Sequence, residues 1–159
     1  MKYAIISDIH SNLEALQKVF QIIDEKKVDE IICLGDVVGY GASPNECVEL
    51  VRSRCSTVVL GNHDAAALDP SLAHDFNIIA RRAITWTSEI LNEASITFLS
   101  ALPLVERKEQ ILFVHSSPHL PHAWDYIIDS DDASSAIHHF DERILFKGDS
   151  NENLRLKVP

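Results

Sequence analysis

The sequence of 159 residues lacks any apolar run long enough to span a membrane, and its first residues lead into a short apolar segment without a signal-peptide pattern. Positive charge is also scarce, since 14 lysines and arginines face 24 aspartates and glutamates and the formal net charge is −10. A nucleic-acid backbone needs a basic partner surface, so the charge argues against nucleic acid as a partner. We therefore expect a cytoplasmic protein with no membrane partner.

Cysteine is equally sparse. Cys33, Cys47 and Cys55 are odd in number and lack the spacing of a metal or redox site. They are predicted to be reduced core residues, which again indicates a cytosolic protein. With 46% apolar residues and no internal repeat, the chain is predicted to form a single domain that buries a substantial core.

Four polar clusters, each at the end of a short apolar run, are the main feature that is present. They are, in order, D-x-H at Asp8–His10, G-D-x-x-G at Gly35–Gly39, G-N-H-D at Gly61–Asp64 and a single His115. The runs before them have the length of buried parallel strands, whose carboxyl ends share one edge of an open α/β sheet, where ligands usually bind. The clusters would therefore converge, and carboxylate, amide and imidazole groups without thiolate form a set of metal ligands.

Helical spacing of apolar residues lies between these runs. Ser11 and Glu14 predict a capping box at the start of a helix that reaches about Lys26, and Pro44 predicts the first position of the next helix. The remaining predicted elements are helices at residues 75–92, 95–102 and 131–139 and an antiparallel hairpin formed by residues 104–106 and 111–114. Alternating strands and helices in the first half favour a parallel sheet with right-handed crossovers.

The order and spacing of the four clusters resemble the calcineurin-like metallophosphoesterase superfamily. Its pattern is D-x-H, G-D-x-x-G, G-N-H-[D/E], a single His and G-H-x-H. The first three blocks match at every defined position, and His115 stands in the place of the single His. The resemblance implies an α/β protein with a four-layer α/β/β/α sandwich whose second sheet is incomplete. Residues 1–148 are predicted to form this domain, and residues 149–159 an irregular tail.

The resemblance also implies a site for two divalent metal ions (Mn, Fe, Zn or Mg) that hydrolyses phosphate monoesters or diesters. Asp36 would bridge the two ions, Asp8 and His10 would bind one of them, and Asn62 and His115 would bind the other. A hydroxide that bridges the ions would attack phosphorus in line. The implied substrate is a phosphorylated small molecule or a nucleotide.

The histidine of G-N-H has a different role in the family, because it faces the substrate. His63 is therefore predicted to stabilise the phosphoryl group together with Asn62 and to protonate the leaving oxygen, a role that suits a group titrating near neutrality. Asp64 is predicted to orient the imidazole of His63 and to keep it protonated. The loops at residues 40–43 and 118–126 are predicted to set the substrate specificity.

The chain departs from the family at the last block. Asp149 and Asn151 stand where the family has the two histidines of G-H-x-H. Both have oxygen donors, so one interpretation is weak replacement ligation with a preference for harder ions such as Mg²⁺ or Mn²⁺. We favour a truncated or frame-altered family member, whose exposed sheet edge would promote a homodimer. A catalytically impaired binding scaffold is the alternative function, although the retained His63 argues against it.

Overall fold

A computed structural model describes residues 1–149 and the backbone of residues 156–157. Sheet A contains three parallel strands in the order β1 (Tyr3–Ile6), β2 (Glu30–Cys33) and β3 (Thr57–Val58). Sheet B contains β4 (Val105–Lys108), β5 (Ile111–Val114), β6 (Ile144–Lys147) and β7 (Leu156–Lys157), also in sequence order. In sheet B, β5 pairs with β4 in antiparallel and with β6 in parallel orientation.

The described part of the chain forms six α-helices. They are α1 (Leu13–Lys26), α2 (Pro44–Arg54), α3 (Asn62–Leu68), α4 (Ile78–Ile90), α5 (Glu93–Ser100) and α6 (Ser130–Ala136). The capping box predicted at Ser11 is wrong, because Asn12 is the N-cap of α1 and its side-chain oxygen accepts the N–H of Ala15 at 3.1 Å. Ser11 is buried with a left-handed φ of 57°, and its own N–H donates to the carbonyl of Val37 in the loop after β2.

Side chains that alternate along the strands divide the core between the two faces of each sheet. In β2, Cys33 packs with the buried side chains of α1 to α5, whereas Ile32 faces sheet B. In β5, Phe113 packs against Ile32 between the sheets, and Leu112 lies on the opposite face with Phe140, which follows α6. These layers confirm the predicted α/β/β/α sandwich. The parallel strands place the loops after β1, β2, β3, β5 and β6 at one edge.

The tail predicted to be irregular contains β7, which pairs antiparallel with β6. The open edge of β6 offers backbone donors and acceptors to a segment that reaches it, and residues 156–157 use them. Asn151, one of the two predicted replacement ligands, lies outside the described residues. Within the residues that the structure describes, no helix has the length and apolar character that crossing a membrane requires.

All three cysteines are free, as predicted. Cys33 and Cys47 are buried, and Cys55 is partly buried. Burial raises the pKa of the Cys47 thiol to about 12, and it raises that of Cys55 to about 12 as well. Thiols with such pKa values are poor nucleophiles and poor ligands near neutral pH, so the cysteines contribute packing rather than chemistry.

Candidate metal centre

Main-chain hydrogen bonds join the loops after β1 and β2 beyond the ends of the strands. The N–H of Asp8 donates to the carbonyl of Gly35 at 3.1 Å, and the N–H of His10 donates to the carbonyl of Asp36 at 2.9 Å. These two bonds continue the parallel ladder and hold the side chains of Asp8, His10 and Asp36 next to one another. The structure therefore brings together the first two of the predicted clusters.

The backbone of these loops is left-handed at several residues other than glycine. Asp8, His10, Asp36 and Tyr40 have φ values of 57°, 49°, 54° and 45°. Each such residue costs about 1 kcal/mol, because its Cβ approaches a carbonyl oxygen. Strain of this kind persists where the surrounding structure fixes the conformation, and it is common at functional sites.

Glycines let the loops after β2 and β3 pack directly on each other. A Cβ at Gly61 would lie 2.1 Å from Oδ1 of Asp36, and a Cβ at Gly35, where φ is 93°, would lie 2.6 Å from the backbone nitrogen of Gly61. A larger residue at position 61 would push the Asp36 carboxylate away, and one at position 35 would push the backbone of Gly61 away. This close packing explains why the residues before Asp36 and before Asn62 are glycines.

Helix α3 begins directly after this contact and turns its first residues toward Asp36. The backbone N–H of His63 donates to Oδ1 of Asp36 at 2.9 Å. One carboxylate oxygen is thus held by the amino end of α3, where negative charge is favoured. The other oxygen, Oδ2, is left to face two imidazole rings.

His10 and His115 present the same ring atom to that oxygen. Nδ1 of His10 lies 3.2 Å from the carbonyl oxygen of Val38, and Nδ1 of His115 lies 2.6 Å from that of Leu34. Because a carbonyl oxygen only accepts hydrogen bonds, each Nδ1 carries a hydrogen. The two Nε2 atoms therefore face Oδ2 of Asp36, at 3.7 Å from His10 and 3.5 Å from His115.

Asn62 adds a further oxygen to this group. Its Oδ1 lies 3.0 Å from Nε2 of His115, and both side chains are buried. A buried set of acceptors attracts positive charge. Burial lowers the pKa of His115, yet the carboxylate of Asp36 outweighs this effect and raises it to about 9. Burial likewise raises the pKa of Asp36, but the three neighbouring imidazoles, His115 foremost, bring it below its usual value.

Asp149 reaches the same edge from the end of β6. Asp8, His115 and Asp149 offer ligand atoms that lie within 4.8 Å of one another, and His10, Asp36 and His63 form a second such group. The N–H of Asp149 donates to Oδ2 of Asp8 at 3.3 Å, and Oδ2 of Asp149 is buried without a hydrogen-bond partner. Each of these two groups has the donor chemistry to hold a divalent cation.

His63 is held by aromatic packing. Its ring centroid lies 4.9 Å from Tyr40, 4.7 Å from Phe76 and 4.7 Å from His10. Its Nδ1 is buried without a hydrogen-bond partner. Burial lowers the pKa of His63, although the charge of Asp36 acts in the opposite direction. Tyr40 directly follows the second motif, but no sequence signal identified Phe76, which belongs to no motif.

Asp64 does not have the predicted contact with the imidazole of His63. Its Oδ1 accepts the N–H of Val38 at 3.0 Å, and its Oδ2 accepts the N–H of Gly61 at 3.1 Å. Among residues 1–149, no hydrogen bond joins the Asp64 carboxylate to the His63 ring. Burial, with the charge of Asp36, raises the pKa of Asp64 to about 7. Asp64 therefore ties the loops after β2 and β3 together.

Known proteins resemble this chain in both sequence and fold. A sequence model of the calcineurin-like phosphoesterase family matches residues 1–153. An uncharacterized protein of Methanocaldococcus jannaschii is 43% identical over 128 residues, which cover 78% of this chain and 53% of that protein. Serine/threonine-protein phosphatase 2 of Escherichia coli is 28% identical over 138 residues, which cover 86% of this chain and 57% of the phosphatase.

The fold agrees with a solved structure as well. The crystal structure of a metallophosphoesterase from Sphaerobacter thermophilus superposes with a TM-score of 0.80 at 40% identity, over 92% of this chain and 59% of that chain. The chain spans about half the length of the curated relatives that it matches, at 53% and 57% of their residues. The match of the family model over residues 1–153 and the shared fold show that the chain belongs to the calcineurin-like phosphoesterase family.

Proposed function

We propose that the chain binds two divalent cations around Asp36 and hydrolyses phosphate monoesters or diesters. Members of this family typically bind divalent metals. The main support is that Oδ2 of Asp36 faces Nε2 of His10 at 3.7 Å and Nε2 of His115 at 3.5 Å. Neighbouring ligands about 2.1 Å from a metal lie about 3.4 Å apart in a tetrahedral site and about 3.0 Å apart in an octahedral one, so both atom pairs need only a small approach to share a cation.

The proposed ligands divide between two positions that share Asp36. Asp8 and His10 would hold one cation, and Asn62 and His115 would hold the other. Oδ2 of Asp36 faces both imidazoles, and a negatively charged carboxylate oxygen with more than one lone pair can bridge two cations. Oxygen and imidazole donors without thiolate suit Mn, Fe, Zn or Mg.

Asp149 is a proposed replacement for one missing imidazole. It lies in the group with Asp8 and His115, and its buried Oδ2 has no hydrogen-bond partner. A carboxylate in place of imidazole favours the harder ions in that list, Mg²⁺ and Mn²⁺. The equivalent proposal for Asn151 concerns a residue outside the described ones.

In this proposal the cations would offset charge on the phosphoryl oxygens and lower the pKa of the attacking water. Asn62 and His63 orient the phosphoryl group from the first turn of α3. Burial lowers the pKa of His63 in the free protein. A bound phosphoryl group is anionic and raises that pKa again, so His63 becomes protonated beside the leaving oxygen that it serves.

Metal counting combined with hydrolysis tests this proposal. The chain is loaded with Mn²⁺, its bound metal is quantified, and the rates with 4-nitrophenyl phosphate and bis(4-nitrophenyl) phosphate are measured with and without a chelator. We expect two ions per chain and hydrolysis of at least one ester that the chelator abolishes. A folded chain without bound metal contradicts the proposal, whereas bound metal without any hydrolysis favours the binding scaffold.

Two further parts of the interpretation stay predictions. One is that the metallophosphoesterase domain comprises residues 1–148, with residues 149–159 as a tail. The other is a homodimer formed through a sheet edge, which light scattering on purified protein would test. Neither affects the assignment of the metal ligands.

A further inference from the structure

A cavity of about 530 Å³ opens directly beside the metal centre. Asp8 and His10 form the part of its wall that belongs to the centre, and the start of α1 and the loop at residues 40–43 form the rest. Cavities of roughly 300–1,000 Å³ are typical of small-molecule sites, so this one has room for a group about the size of a nucleoside.

The walls of the cavity are fixed by main-chain contacts. The N–H of Gly41 donates to the carbonyl of His10 at 2.9 Å, and the N–H of Ser43 donates to the carbonyl of Ser11 at 3.1 Å. A Cβ at Gly41 would lie 2.5 Å from the carbonyl oxygen of His10, so the two loops are in direct contact there. The cavity is therefore preformed, which lowers the entropy cost of binding.

The charge of the lining is one-sided. Its ionisable side chains other than tyrosine are Asp8, His10 and Glu14, and no lysine or arginine of the described chain lines it. Asp8 and His10 are proposed metal ligands, so the bound cations would offset the charge of Asp8. Glu14, in the exposed first turn of α1, is left as a negative charge that a bound leaving group would meet.

Tyr40 supplies an aromatic surface on the same wall. Its ring centroid lies 4.9 Å from the ring of His10 and 4.9 Å from the ring of His63, yet the residue is 47% exposed. Packing against the histidines and a left-handed φ of 45° fix its position. An aromatic ring held in this way offers its free surface to another planar group.

We propose that this cavity, here called the leaving-group cleft, binds the alcohol portion of the substrate. The aromatic ring and the negative charge of the cleft favour an ester that has one phosphate group and an uncharged, ring-bearing alcohol such as a nucleoside. They disfavour polyphosphates. Tyr40 packs on the ring, and Glu14 repels further negative charge. This inference rests on the proposed function and adds the substrate class to it.

Charge selection is the first test. Two aryl phosphates with the same leaving-group pKa are compared, one with an uncharged ring and one with a carboxylate on the ring, by kcat/KM of the Mn²⁺-loaded protein. We expect the wild type to prefer the uncharged ester about 3- to 10-fold, the effect of two like charges about 6 Å apart at an effective dielectric constant of about 40–80. Glu14→Gln should remove most of this preference, and Glu14→Lys should reverse it.

Glu25→Gln is the matched control, because Glu25 is an exposed glutamate near the opposite end of α1. At about 1.5 Å per residue it lies about 16 Å from Glu14 along the helix, beyond the Debye length at physiological salt. The ratio of kcat/KM for the uncharged ester to that for the anionic ester should be the same in Glu25→Gln as in the wild type. An unchanged ratio in Glu14→Lys, or a wild type that prefers the anionic ester, overturns the inference.

Tyr40 gives the second test. Tyr40→Ala should raise KM for the uncharged aryl phosphate about 10-fold and leave KM for ring-free glycerol phosphate nearly unchanged, as the loss of an aromatic contact predicts. Tyr40→Phe should retain the wild-type KM. Equal effects on both esters would overturn the aromatic role.

The proposed function and the cleft fail in distinguishable ways. If the wild type hydrolyses neither ester, the proposed function fails, and calorimetry with the same two aryl phosphates then tests the cleft through binding alone. Tighter binding of the uncharged ester that Glu14→Lys reverses would support the cleft, and equal affinities would overturn it.

Discussion

Two histidines lie beside Asp36, His115 after the end of β5 and His63 at the start of α3. The protein holds their rings in opposite ways. His115 is fully buried, and its Nδ1 lies 2.6 Å from the carbonyl oxygen of Leu34. His63 is held by neighbouring rings, and its Nδ1 has no hydrogen-bond partner. The pKa of His115 is raised to about 9 and that of His63 is lowered.

The difference shows how one residue type performs two tasks within a single site. A ring whose Nδ1 is bonded to a carbonyl keeps Nε2 directed at the same point, and this atom can bind a metal ion that displaces its proton. A ring held by packing alone gains or loses a proton without breaking a hydrogen bond to the protein, which suits proton transfer. The following predictions test this contrast, from the largest expected effect to the smallest.

Removing the group that both histidines share should have the largest effect. Asp36→Asn takes away the charge that attracts both cations, so both ions should be lost together and hydrolysis should fall more than about 100-fold. Metal content and the hydrolysis rate are measured on the same sample. Asp131→Asn, an exposed aspartate in the first turn of α6, is the control and should match the wild type. Wild-type metal content in Asp36→Asn would contradict the assignment of the bridge.

Removing the imidazole of His115 should lower both the metal affinity and the stability of the fold. His115→Ala deletes a buried ligand and leaves the carbonyl of Leu34 without its donor. We expect metal affinity to fall at least about 10-fold and the free energy of unfolding of the metal-free chain to fall by about 2–4 kcal/mol. Calorimetric metal titration and urea unfolding give the two values. A stable variant with full affinity would mean that His115 is an ordinary core residue.

Removing the imidazole of His63 should lower turnover and leave metal binding unchanged. His63→Asn should reduce kcat about 100-fold and leave metal affinity unchanged. Burial lowers the pKa of His63 in the free protein. The protonated form is present below that pKa, so kcat/KM of the wild type should fall as the pH rises through a value below that of an exposed histidine. His63→Asn should lack this decline. If His63→Asn loses bound metal, the contrast between His63 and His115 is wrong.

Two glycines allow each ring to be displaced separately, with smaller effects. A Cβ at Gly39, where φ is 104°, would lie 2.7 Å from Nδ1 of His63, and a Cβ at Gly148 would lie 2.8 Å from Nδ1 of His115. Gly39→Ala should therefore lower kcat, and Gly148→Ala should lower metal affinity, each about 3- to 10-fold, the equivalent of about 0.7–1.4 kcal/mol of strain. Each variant is the control for the other, and identical profiles would contradict separate roles.

Sequence reasoning was most accurate where the information is local. The apolar run before each motif predicted its strand, and parallel strands necessarily bring Asp8, Asp36 and Asn62 to one edge. The predicted helix start is wrong by one residue, because Ser11 and Asn12 are both good capping residues. In the structure the N–H of Ser11 bonds to the neighbouring loop and the side chain of Asn12 caps the helix, and neither contact is visible in the sequence.

The support around the site could not be predicted. One partner of Asp64 is the N–H of Val38, 26 residues away, and Nδ1 of His115 pairs with the carbonyl of Leu34, 81 residues away. Every residue except proline has the same backbone groups, so no side-chain pattern marks these partners. Phe76 packs on His63 from outside any motif, and an isolated apolar residue carries no positional signal.

The hydrogen bond between His115 and Leu34 has a consequence for the order of folding. It links sheet B to sheet A across 81 residues, so the complete set of ligands exists only after both sheets have formed and docked. Contacts this far apart in sequence form slowly, and metal capture would therefore come late in folding. A ligand that binds only the folded chain stabilises it by about 2.7 kcal/mol at 100 times its dissociation constant. The supply of metal would thus determine how long each newly folded chain survives proteolysis.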